Sequence, residues 1–347
     1  MKNARVLPWR VSPKDSESGQ IPDPYKVWVS EIMLQQTTVK TVIPYFQKFI
    51  EKWGSIDKLS RASEDEVLAF WAGLGYYARG RNLLKCAKEL RCRFNSKIPN
   101  DKKKLLSLPG IGEYTASAIR SIAFGEKEVV IDANIERVIC RLFKIEKPIQ
   151  QSKKDIKECA SQLFPEFQCG DLAQALMDFA NSICKPKNPF CSQCPVSSLC
   201  LSFKWNLVES IPAKLTKKNK PTKKGYVFFA ILKPNKFLLE RRPSKGMLGG
   251  LLGFPTTKWD VEKNAPSFPF KANWFYTERV VTHQFSHFKL ELEIVFGETE
   301  YSKFDNSKYL VAERLNFDIS SLPTLMRKVY AKADSVFDAT LNSNSVT

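Results

Sequence analysis

Histidine is nearly missing from this chain: it supplies two of 347 residues, His283 and His287, both far toward the C-terminus. Everything before them must do its acid–base chemistry with carboxylates, and a zinc site mixing cysteine with histidine is excluded there. No run of about 18 apolar residues occurs, so no segment reads as a membrane-spanning helix, and no cleavable leader is expected. Acidic residues are scarce beside basic ones, 36 Asp and Glu against 54 Lys and Arg, leaving a formal charge of +18 and a pI near 9.4. Solvated surface lysines would give that balance, but an excess this large favours a nucleic-acid partner. A disulfide framework is absent as well. Five of the nine cysteines (Cys86, Cys92, Cys140, Cys159 and Cys169) are scattered and read as free thiols of a reducing compartment, so the expected location is cytoplasmic. What is present is 43% hydrophobic residues at a mean hydropathy of −0.28, enough to build cores in two domains of ordinary size.

The other four cysteines, Cys184, Cys191, Cys194 and Cys200, fall in one short segment with the spacing C-x6-C-x2-C-x5-C. Four thiolates so close suit one soft, tetrahedral site, either zinc or an iron–sulfur cluster. Structural zinc usually shows two short pairs. Here the one short pair is flanked by longer arms that would reach separate irons of a cubane, and spacing alone leaves both readings open.

Amphipathic periodicity predicts helices over 25–36, 38–53, 64–71, 79–95, 102–107, 113–123, 134–142, 153–163 and 171–182. A basic, proline-bearing stretch from Ile211 to Gly225 then reads as a tether. Beyond it, 225–232, 236–241 and 289–296 are short and rich in β-formers. The expected layout is a helical domain over residues 1–205, a basic linker over 206–224, an α+β domain over 225–340 and a tail over 341–347.

Within Leu108-Pro-Gly-Ile-Gly-Glu-Tyr-Thr-Ala116 one helix stops and another starts at once, with Gly110 and Gly112 at the turn. Exposed N–H groups there can hold a phosphate, and glycine lets a nucleic-acid backbone approach. A plain tight turn between core helices would look the same. Followed by a helix and then Val129-Val-Ile-Asp-Ala-Asn-Ile-Glu-Arg137, it becomes a helix-hairpin-helix with a downstream aspartate.

Those segments, together with Leu7-Pro-Trp-Arg10, the run from Tyr25 to Thr37, Gly73-Leu-Gly-Tyr-Tyr-Ala-Arg79 and the cysteine array, resemble the MutY-type adenine DNA glycosylases over nearly the whole chain. The resemblance implies an all-α helix-hairpin-helix domain with a four-cysteine cluster loop, then an α+β Nudix-like (MutT-like) domain. It also implies one [4Fe–4S] cluster on Cys184, Cys191, Cys194 and Cys200. The activity implied is hydrolytic removal of adenine opposite 8-oxoguanine or guanine in base excision repair. The partner would be double-stranded DNA carrying such a mispair, and the enzyme a monomer, associated with the nucleoid if bacterial.

Cleaving an N-glycosidic bond needs an acid for the leaving base and a negative charge for the oxocarbenium-like sugar, the two-carboxylate logic of glycoside hydrolysis. Glu31 lies in an apolar helical run where burial would keep it protonated near neutral pH; the resemblance makes it the acid. Asp132 is implied as the sugar stabiliser and also reads as a helix N-cap, with Asn134 orienting the pair. Endonuclease III-like enzymes, the alternative reading, carry a Schiff-base lysine where this chain has Tyr114. Tyrosine cannot form the imine needed for strand cleavage, so a monofunctional enzyme is expected, with Tyr114 supporting the aspartate.

By resemblance, Trp9, Arg10 and Gln174 line the adenine pocket. Gln36, Leu74 and Tyr76 wedge around the orphaned 8-oxoguanine, and Thr37 contacts it. Arg79 and Arg81 read as phosphate contacts or surface charge. In the second domain Arg241–Pro255 is the Nudix-like trace, but no glutamate-rich magnesium helix follows, which implies a reader and not a hydrolase. Its reading element is Phe285-Ser286-His287, with Ser286 on the base. Two departures stand out: only six residues precede Leu7, where the family has a helix, and residues 11–23 form a longer polar insertion expected as a flexible surface loop.

Overall fold

A computed structural model describes residues 4–213, 220–243, 246–262 and 265–343. Residues 214–219 of the expected linker, Ser244 and Lys245 of the Nudix-like trace, and 344–347 of the expected tail lie outside them. The chain divides into two compact units, one drawn from residues 1–67 and 78–216 and the other from 68–77 and 217–347.

The first unit is helical: α1 (Pro13–Glu17), α2 (Pro24–Leu34), α3 (Val39–Lys52), α4 (Ile56–Ser60), α5 (Glu64–Trp71, its last turn in the other unit), α6 (Ala78–Phe94), α7 (Lys102–Leu106), α8 (Glu113–Ala118), α9 (Ala133–Leu142), α10 (Lys153–Leu163), α11 (Cys169–Ser182) and α12 (Leu201–Lys204). The starts are written in the sequence. Asp23, Thr38, Ser55, Asp101 and Asp132 each cap a helix by accepting from a backbone N–H one turn in, and Pro24 occupies the first position of α2. Residues 11–23 are not simply a loop, because Ser12 caps α1 within them. α8 continues into one π-helical turn, Ile119–Ala123. Residues 206–213, expected as linker, stay with this unit. Ile211 is buried in the cluster of Ile135, Ile139 and Ile156, where Leu207 packs beside it.

The second unit holds a mixed sheet of β1 (Thr222–Leu232), β2 (Lys236–Arg241), β3 (Leu252–Gly253), β4 (Asn273–Gln284), β5 (Lys289–Glu298) and β6 (Tyr309–Glu313). The order is β3-β2-β1-β5-β4, with β6 also on β2; β1 and β5 run parallel and the other pairs antiparallel. β1 alternates as a strand buried on both faces must. Val227, Phe229 and Ile231 join Leu325, Met326 and Val329 of α13 (Thr324–Ser343), while Ala230 and Leu232 pack with Phe304 and Tyr309. After β3, Pro255 to Asp260 run along β1, bridging it at Val227 with Thr256 and at Lys224 with Asp260. The residues that follow the expected Nudix-like trace are thus an extended segment on β1.

Candidate active site

Glu31 lies on the third turn of α2, among the buried side chains Val27, Trp28, Ile32 and Met33, and is itself only 7% exposed. Burial pushes its carboxyl up to about 7, against the lowering effect of a hydrogen bond donated by the Tyr114 hydroxyl; the charge of Asp132 adds to the rise and Arg10 opposes it. Tyr114, the second residue of α8, is held well above its ordinary range by burial and by the two carboxylates beside it. Asp132 accepts from the backbone N–H groups of Asn134 (3.0 Å) and Ile135 (2.7 Å), and the Asn134 side-chain amide donates to its other oxygen at 2.7 Å. Capping α9 thus fixes the carboxylate in position. A cleft of about 980 Å³ is lined by Glu31, Tyr114, Asp132 and Asn134 together with Trp9, Arg10, Gln36, Thr37 and Gln174.

Arg10 is held by Asp178 of α11 at 2.7 Å, and Trp9 packs edge-on against Phe46 with ring centroids 5.2 Å apart. The Gln174 amide donates to the Gly170 carbonyl at 3.3 Å, leaving its oxygen for other partners. Gln36 adopts a left-handed backbone, φ 59°, just past the end of α2, a conformation that stores strain where other contacts over-determine it. Arg79 turns inward: it donates to the Ile32 and Met33 carbonyls (2.8 and 2.9 Å) and to the Thr37 hydroxyl (3.1 Å), satisfying the C-terminus of α2. Asp178, which holds Arg10, was given no reading from the sequence, and Arg79 only that of a phosphate contact or surface charge. Their partners lie far away along the chain, and no local pattern marks them.

At the hairpin, Gly110 has φ 80° and a Cβ there would stand 2.9 Å from Cβ of Asn82, whereas Gly112 caps α8 with open space around it. From the active-site end of α9 the chain reaches the cysteines. Arg137 donates to the Asn134 side chain (3.3 Å), the Ala180 carbonyl (2.9 Å) and the Cys184 carbonyl (2.9 Å). Fully buried Arg141 donates to the carbonyls of Lys185 (2.7 Å) and Ile211 (2.9 Å) and to Cys184 Sγ (3.4 Å). Cys184, Cys191, Cys194 and Cys200 are unbridged and line one cavity. Burial, and then the charges of the neighbouring sulfurs, push the Cys191 thiol up. Among the described residues no three Cys, His, Asp or Glu side chains converge tightly enough to hold a single ion. A soft all-sulfur donor set of this kind suits an iron–sulfur cluster.

In the second unit, Tyr76 is exposed with φ 47°, and its hydroxyl is hydrogen-bonded to that of Ser286. Leu74, an expected wedge, is buried at 4% exposure in the turn after α5. Ser286 and His287 are exposed. Phe285 stacks on Trp259 with centroids 5.9 Å apart and also touches His283 and Phe288, so it shapes the loop from below.

Two family models match: the HhH-GPD superfamily of base excision DNA repair proteins over residues 29–166, and the NUDIX domain over 227–332. An adenine DNA glycosylase of Buchnera aphidicola subsp. Baizongia pistaciae is 34% identical over 334 residues, covering 94% of this chain and 92% of the relative. The adenine DNA glycosylase of Homo sapiens is 32% identical over 390 residues, covering 94% of this chain and 71% of the relative. The solved structure of a thermostable thymine-DNA glycosylase is 30% identical with a TM-score of 0.51, over 58% of this chain and 89% of that one. A non-covalent endonuclease III–DNA complex, 23% identical with a TM-score of 0.50 over 59% and 91%, shares the fold. With a buried acid, a capped aspartate and relatives matched over nearly all of this chain, the chain belongs to the adenine DNA glycosylase family, a helix-hairpin-helix glycosylase unit followed by a Nudix-like one.

Proposed function

We propose that this protein hydrolyses the N-glycosidic bond of adenine mispaired with 8-oxoguanine or guanine in double-stranded DNA, without cutting the strand. The observation that carries the reading is the cleft where Glu31, near pKa 7 and hydrogen-bonded to Tyr114, meets Asp132. A carboxyl half-protonated at neutral pH can give its proton to the departing base and afterwards take one from water. Asp132, held by three hydrogen bonds, supplies the fixed negative charge for the cationic sugar. Trp9, Arg10 and Gln174 would hold the extruded adenine, which must leave the duplex to reach Glu31. No lysine lines this cleft among the described residues, which favours the glycosylase reading over the endonuclease III-like lyase.

Gln36, Thr37, Leu74 and Tyr76 would fill the gap left in the duplex, and Ser286 with His287 would read the 8-oxoguanine. Leu74 would first have to turn out of its buried position. Gly110 and Gly112 would meet the DNA phosphate. Cys184, Cys191, Cys194 and Cys200 would hold a [4Fe–4S] cluster, whose role is to fold the segment between them. We place the enzyme in the cytoplasm as a monomer on DNA. The deciding measurement is single-turnover reaction of a duplex carrying adenine opposite 8-oxoguanine, with and without alkali afterwards. Breaks only after alkali are expected. Breaks without alkali would turn the reading toward a lyase, and no breaks in either case would overturn it.

A further inference from the structure

Residues 4–12, which carry Trp9 and Arg10 into the cleft, contain no helix or strand. A segment without its own ladder keeps its place only through anchors to other elements. Leu7 and Trp9 supply apolar ones, at 6% and 7% exposure. Among the described residues, the hydrogen bonds tying residues 4–10 to other elements end on a single atom, Asp178 Oδ2. The Arg5 backbone N–H donates to it at 3.1 Å and Arg10 Nη1 at 2.7 Å. The Asp178 side chain is 9% exposed and that of Arg10 13%, so the pair is screened little by solvent. Asp178 Oδ1 is buried with no hydrogen-bond partner, and Arg5 Nη1 stands 3.8 Å from it. The pair also lines two cavities. Asp178, Arg5 and Arg10 line the catalytic cleft and a second cavity of about 490 Å³ bounded by Val11, Phe179 and Pro195.

We infer that Asp178 is a positioning residue of the glycosylase reaction, fixing Arg10 in the wall of the base pocket beside Glu31. The inference rests on the adenine-excision reading. α11 is the right element for the task, because it also carries Gln174 one turn earlier on the same face. One helix thus sets the glutamine directly and the arginine through a carboxylate. Arg10 in turn is the positive charge that opposes the rise of Glu31. Losing its anchor therefore alters both the fit of the base and the pH at which the acid loses its proton.

The test compares Asp178→Asn, Arg10→Gln and the double variant with the wild type in single-turnover excision across pH 5.5–9, each normalised to active sites. Asp178→Asn is expected to slow excision about 10- to 100-fold, the scale of a small misplacement at a reacting centre, and to displace the alkaline limb of the pH profile. The double variant should be little slower than Arg10→Gln alone, because the guanidinium that Asp178 positions is then gone and only the Arg5 backbone N–H remains on it. Asp178→Glu, which keeps the charge, should recover part of the rate. Should Asp178→Asn fail to fold, the double variant, which leaves no unpaired buried charge, still decides the matter through its own pH limb: a limb matching that of Arg10→Gln supports the inference. Effects that simply multiply in the double variant, or an Asp178→Asn profile superimposable on the wild type, would overturn it. A wild type that leaves adenine untouched would instead overturn the function from which it starts.

Discussion

At the residue scale, Glu31 shows function and stability opposed. Its displacement from 4.5 to about 7 comes first from burial, so the folded state resists ionising it while the unfolded chain does not. Sign follows from that. The contribution of Glu31 to stability is fully present below its unfolded pKa and is lost as pH rises toward 7. Above that the deficit is constant, with a ceiling of about 3 kcal/mol. Glu31→Gln removes the ionisation and keeps the shape. Denaturant unfolding should therefore find the variant more stable than wild type at pH 8, with the gap closing at pH 5. Excision should fall by roughly 10²- to 10⁴-fold, the usual worth of a general acid. Equal stabilities at pH 8 would mean that the carboxyl is solvated in the folded protein. Wild-type excision itself should decline as pH rises through about 7, where the proton to be donated is lost.

At the element scale, the cleft depends on how closely α11 approaches the π turn after α8. A Cβ on Gly170 would stand 2.5 Å from the Ser121 carbonyl oxygen and 2.8 Å from Cα of Ile122, both backbone atoms that cannot swing aside. Alanine usually stabilises a helix relative to glycine by roughly 0.5–1 kcal/mol. Here Gly170→Ala should instead cost about 1–3 kcal/mol through overpacking, lowering the melting temperature and slowing excision, because α11 carries Gln174 and Asp178. A raised melting temperature would show that the two elements can part freely. Strong periodicity made α2, α3, α6, α9, α10 and α11 legible within a few residues of their observed ends. The five-residue α4 was too short to repeat a pattern. β4 escaped notice because its side chains are mostly exposed and show no apolar alternation. The burial of Glu31 and the cap made by Asp132 were legible because an apolar helical run and a cap signal are local. Asp178 was not, since its partner Arg10 is 168 residues away and an aspartate on a helix reads as solvated surface. Arg79, open between phosphate contact and surface charge in the sequence, donates to the end of α2, which no local pattern announces.

At the scale of the whole molecule, a charge of +18 supplies a grip on DNA that is insensitive to sequence and weakens with salt, because it acts through released counterions. Such a grip cannot tell 8-oxoguanine from guanine; groups that touch the base must do that. In the second unit the exposed Ser286 and His287 stand on a loop stiffened by Phe285 against Trp259, with Tyr76 hydrogen-bonded to Ser286. Rigid support beneath exposed polar groups is what a reading element needs. Replacing both residues, Ser286→Ala with His287→Ala, should lower the ratio of excision rates for adenine opposite 8-oxoguanine over adenine opposite guanine by about tenfold, within the range of one lost base contact. The salt dependence of binding to undamaged duplex should stay as it was, since neither residue carries a fixed positive charge. A ratio unchanged by the double substitution would remove the reading role from this loop. A salt slope that changed along with the ratio would show that the loop grips phosphate and does not read the base.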